Sequence, residues 1–123
     1  NIREFFDYYL RMVSSLLDDD HRLRFKERQF LVECCMYNYN GGDLNKSEEL
    51  LEHLSSRGVV QSMGSLNQYK HILKVRGWAK TGKRFELKGM LDQSENNPKP
   101  LRYNFNLEYI PSFDEEISDR QDD

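Results

Sequence analysis

The residues of this chain best equipped for chemistry with another molecule lie in one stretch, SLNQYKHILKVRGWAKTGKRFEL, from Ser65 to Leu87. Between Leu66 and Lys88 there are seven Lys or Arg (Lys70, Lys74, Arg76, Lys80, Lys83, Arg84, Lys88) against one acid, Glu86, in a chain of formal net charge -3. Leu66, Tyr69, Ile72 and Leu73 recur at helical spacing, which leaves Asn67, Gln68, Lys70, His71 and Lys74 on the outer face. Asn and Gln pair bidentately with adenine edges, Lys contacts guanine or phosphate, and a helix has the width to enter the major groove. Ser62 and Ser65 stand near the helix N-terminus, where hydroxyls, free backbone N–H groups and the helix dipole favour phosphate. Lys80, Lys83 and Arg84, around the turn at Thr81-Gly82, can reach flanking phosphates or the minor groove. Double-stranded DNA is therefore the expected partner, and the whole-chain charge hides this because acids elsewhere outweigh the basic segment.

The plainer reading of the same residues is a solvated helix and hairpin, or a surface for another protein. His71 is then an ordinary surface histidine, and Trp78 a plug between hairpin and core. An enzyme is not expected. Glu48, Glu49 and Glu52 form an acidic helix face, but no Gly-rich phosphate loop or nucleophile elbow accompanies them, so catalytic residues are none. Cys34 and Cys35 are adjacent, which strains a disulfide between them, and two reduced thiols in a helix are expected, at least one of them packed as a small apolar side chain. His21, His53 and His71 are widely spaced and no second cysteine pair completes a zinc set, so neither metal nor cofactor is expected.

These groups need elements to position them, and 123 residues suffice for one modest core, with 37% hydrophobic and 12% aromatic residues. Phe5, Phe6, Tyr9, Val13, Leu16 and Leu17 define a helix from Ile2 to Leu17, ending at Asp18 to Asp20. A second runs from about Lys26 to Tyr39 and stops at Asn40 to Gly42. A third begins at Asn45, whose spacing to Glu48 is that of a capping box, and continues to Gly58. The fourth starts at Ser62 or Ser65 and ends at Gly77, placed as a C-terminal glycine cap. Trp78 to Leu87 reads as a β-hairpin. Asp92 to Pro100 is loop by composition, and Leu101 to Ile110 alternates as a strand that could add to the hairpin. Residues 113 to 123, FDEEISDRQDD, form an acidic tail.

From the third helix onward, SEELLEHLSSRG, then SMGSLNQYKHILKVRGW, then AKTGKRFEL resembles the winged helix-turn-helix family of phage and bacterial type, over about residues 44 to 88. The connection from Gly58 to Ser65 is a little longer than that family's compact turn. The resemblance implies a mainly α fold with a small β-hairpin, and DNA binding through a major-groove recognition helix and a basic wing, as in a transcriptional or replication regulator. The alternative is a winged-helix module for protein–protein interaction or assembly, as in a phage or other multi-protein complex. Residues 1–20 form an added N-terminal helix, 21–90 the winged helix and 91–123 an extension with the acidic tail. The added helix carries more apolar surface than one core-facing stripe needs, so a homodimer through it is expected, and the tail could meet the basic face or a protein partner. Asn1 in place of Met suggests that sequence precedes it. Without an apolar run of membrane length or an opening signal segment, a soluble, cytoplasmic protein is expected, with no membrane partner.

Overall fold

A computed structural model describes residues 1–89. Among them are four helices, α1 (Ile2–Ser15), α2 (Phe25–Tyr39), α3 (Ser47–Ser56) and α4 (Met63–Arg76), followed by a loop, 79–87, pinned at its base. The class is mainly α. The expected third strand and the acidic tail lie outside the described residues.

In α1 the side chain of Asn1 accepts the N–H of Glu4 at 2.9 Å, supplying one of the partners that a helix start lacks. Phe5, Phe6, Tyr9, Leu10 and Val13 are buried along the inner face. The helix stops at Ser15, two residues short of the expected Leu17, where the N–H groups of Leu16 and Leu17 turn back to Val13 and Ser14. Leu17 stays buried while Leu16 is exposed. Met12 is packed against the core, leaving Tyr8 of α1, and Leu16 just past its end, as large apolar groups open to solvent. Most of its broad stripe is thus engaged within the chain.

Central to the molecule is α2, which packs against α1, α3 and α4. Phe30, Leu31, Val32, Cys34 and Cys35 are all buried, covering more than one face, as a helix surrounded by others requires. Two carboxylates are buried with them, and each is met by cations from other elements. Glu27 meets Arg76 of α4 at 2.8 Å, and Glu33 meets Arg3 of α1 at 2.9 Å with His53 and Arg57 at 3.4 and 3.6 Å. A buried charge is costly alone, so these pairs fix which helices flank α2.

Helix α3 departs from the expected start. Its N-cap is Lys46, and Asn45 does not cap it. Instead the side chain of Asn45 crosses to the 79–87 loop, accepting the N–H of Phe85 at 2.8 Å and donating to its carbonyl at 3.1 Å. The expected two-stranded hairpin is correspondingly reduced to a single antiparallel bridge, Ala79 with Leu87. On the outer edge of this short bridge, the backbone N–H and carbonyl of Phe85 find their partners in the Asn45 side chain rather than in another strand. Lys80 N–H to Glu86 O at 2.7 Å and Lys88 N–H to Trp78 O at 3.1 Å complete the loop's base.

Ser62, rather than Ser65, caps α4, and Gly77 ends it in the left-handed conformation at φ 90° that a Cβ disfavours. Trp78 follows, fully buried, and its Nε1–H donates to the carbonyl of His21 at 2.6 Å. It therefore acts as the expected plug, anchoring the end of α4 to the α1–α2 connection. Among the described residues a single core cluster runs from Phe5 to Leu87 and draws on all four helices.

Candidate functional site

The ten residues singled out in the sequence occupy α4, its N-terminal approach and the 79–87 loop. Leu66 and Leu73 are buried and Tyr69 and Ile72 half-buried, which turns Asn67, Gln68 and His71 outward to solvent. Tyr69 stacks on Phe30 of α2 with ring centroids 5.0 Å apart, holding that face of α4 down. At the helix start the Ser62 hydroxyl accepts the N–H of Ser65 at 3.2 Å and lies 3.1 Å from the Ser65 hydroxyl. Both serines are thus engaged with each other at the cap and present a polar, partly exposed edge.

Lys70 corrects the expected outer face. Its ammonium donates to the carbonyl of Leu44 at 3.1 Å and to the Ser47 hydroxyl at 3.3 Å, and it lies 5.3 Å from the centre of the Phe85 ring. Burial, with Lys74 nearby, lowers its pKa from the usual lysine value. A cation held in this way joins α4 to the α3 start. Lys74 donates to the carbonyl of Gly82 at 2.7 Å, so it fastens the loop tip to α4 while remaining partly accessible. Arg76 is engaged by Glu27 and by the carbonyls of Asp19 and Asp20.

Lys70, Lys74 and Arg76 thus each have partners within the fold, Lys88 is half-buried, and there remain Lys80, Lys83 and Arg84. All three are exposed, and none pairs with an acid among the described residues. They stand on a loop fixed at its base by the Ala79–Leu87 bridge and the Asn45 clasp, and at its tip by Lys74. Positive charge is thus displayed beside α4 on a segment that its own backbone contacts hold in place.

Sequence reasoning missed a second set of residues at the other edge of α4. A groove of about 570 Å³ runs between the start of α2 and α4, lined by Arg24, Phe25, Lys26, Glu27, Ser65, Gln68, Tyr69 and Ile72. Arg24 and Lys26 are exposed and pair with no acid among the described residues. The available signal was the run Arg24-Phe25-Lys26 itself, an aromatic between two cations; starting the second helix at Lys26 left it at a helix margin.

Cys34 and Cys35 are unpaired and fully buried, and burial pushes both thiols well above the usual range. Among the described residues no cluster of three or more His, Cys, Asp or Glu is arranged to hold a metal ion, and no helix is long and apolar enough to cross a membrane. No known family, curated protein or solved structure matches the chain.

Proposed function

We propose that the chain binds double-stranded DNA, with α4 as a recognition helix in the major groove and the 79–87 loop as a short basic wing beside it. The observation that carries this reading is the exposed trio Lys80, Lys83 and Arg84, without acidic partners among the described residues, adjoining the polar Asn67, Gln68 and His71 face. Asn67 and Gln68 supply base-edge contacts, while the trio and the Ser62–Ser65 edge position the sugar-phosphate backbone. Lys70, Lys74 and Arg76 support the surface rather than touch the ligand, so the contact count is smaller than the net charge of the segment suggests. A regulator of transcription or replication, of phage or bacterial type, is the biological role this reading fits.

A protein-assembly role is the second reading, supported by the exposed Tyr8, Leu16 and Val75. The expected homodimer through α1 would have the exposed Tyr8, and Leu16 just beyond the helix, as its apolar anchors.

Fluorescence anisotropy with a random-sequence duplex at several salt concentrations decides between the two. Three phosphate contacts by the trio predict that replacing Lys80, Lys83 and Arg84 with Ala lowers the slope of log affinity against log salt by about 2.7, at roughly 0.9 per contact. Duplex affinity that is absent, or that is unchanged in this variant, refutes the DNA reading.

A further inference from the structure

The groove between α2 and α4 has features that a plain duplex does not use. Phe25, the first residue of α2, is 61% exposed and takes no part in the core. The guanidinium of Arg28 lies over its ring at 5.4 Å from the centroid, and Arg28 is itself fixed by Asp7 at 2.9 Å. One face of the ring is thus occupied by a held cation, and the exposure leaves the other for a flat partner. Arg24 and Lys26 flank the ring in sequence and line the same groove. Glu27, the groove's acid, is neutralised by Arg76 at 2.8 Å, so the net character is cationic around an aromatic platform. Ser65 and Gln68 line the groove and also belong to α4, so its contents are continuous with whatever lies along that helix.

A flat aromatic group carrying negative charge, joined to a ligand on α4, satisfies all of these at once. Resting on the duplex-binding reading above, we propose that the groove takes an unpaired nucleotide projecting from the duplex. Its base stacks on Phe25, and its phosphates meet Arg24 and Lys26. The preferred substrate is then a junction between double- and single-stranded DNA rather than a continuous duplex. A purely apolar protein segment would leave Arg24 and Lys26 without a counter-charge.

The full chain is titrated with a labelled blunt duplex and with the same duplex carrying a short single-stranded overhang. One stacked base predicts about tenfold tighter binding of the overhang form. Phe25→Ala is expected to abolish that gain while leaving blunt-duplex affinity and the melting temperature unchanged, and Phe25→Trp to preserve it. Equal binding of both ligands by the unaltered chain, or a gain that survives Phe25→Ala, overturns the proposal while the duplex reading stands. Binding of neither ligand overturns both. A Phe25-dependent shift in molecular mass with no change in ligand preference assigns the groove to a second copy of the chain and also overturns it.

Discussion

Replacing Asn45 with Ala tests whether one side chain holds the basic loop in place. Asn45 forms two hydrogen bonds to the backbone of Phe85, at 2.8 and 3.1 Å, and Phe85 is 3% exposed. Removing the amide leaves a buried N–H and a buried carbonyl with no partner, each costing about 1–3 kcal/mol if the loop stays closed. Partial opening to water limits the total, so a loss of about 2–4 kcal/mol is expected, equivalent to a fall in Tm on the order of 10 °C for a domain of this size. Urea denaturation followed by circular dichroism reads it as a lower midpoint. Asn45→Asp separates the two bonds, because a carboxylate still accepts the Phe85 N–H but cannot donate to its carbonyl. It is expected to retain part of the stability. An Ala variant within about 0.5 kcal/mol of the parent would refute the argument, since that is the range of surface substitutions without a structural role.

Two other outcomes follow from buried groups. Glu27→Ala strands Arg76, which is 17% exposed, and is expected to cost about 3 kcal/mol in the same denaturation assay. Glu33→Ala should cost less, because Arg3 and Arg57 are 39% and 45% exposed and can turn to water. Cys34 and Cys35 are expected to resist a thiol reagent in the native protein both at neutral pH and at pH about 9, since burial keeps them protonated where a free thiol, of pKa about 8.5, ionises. Reaction of both only in denaturant confirms this, and rapid native labelling at pH about 9 contradicts it.

What the sequence disclosed was whatever local spacing controls. Apolar periodicity located the helices, Gly77 marked the end of α4, and Trp78 read correctly as a plug because it follows that cap within a chain containing no other Trp. Ser65 had the capping-box spacing to Gln68, yet it is Ser62 that caps α4, its side chain accepting the N–H of Ser65. The errors share a cause: polar side chains whose partners lie far along the chain. Asn45 and Glu48 have local capping-box spacing, yet Asn45 is taken by a residue 40 positions away. Lys70 follows Leu66 by one helical turn, at the edge of the buried stripe, and its long stem carries the ammonium to Leu44 and Ser47. Acids such as Glu27 look like solvated helix surface until the opposing cation arrives from another helix. At the candidate site the outward Asn67, Gln68 and His71 were legible by periodicity, whereas the Arg24-Phe25-Lys26 edge required knowing that the start of α2 lies beside α4.

The attachment of Trp78 and Arg76 to the carbonyls at residues 19 to 21 also bears on the order of folding. These contacts close spans of 56 and 57 residues, whereas α1 and α2 are neighbours in sequence and can pair early. Closing a long loop is entropically unfavourable until the receiving surface exists. The α1–α2 connection is that surface, so the end of α4 locks only after the first half of the chain has taken shape. The face proposed to read DNA is consequently a late product of folding, and a nascent or partly unfolded chain has Lys80, Lys83 and Arg84 without the framework that aims them.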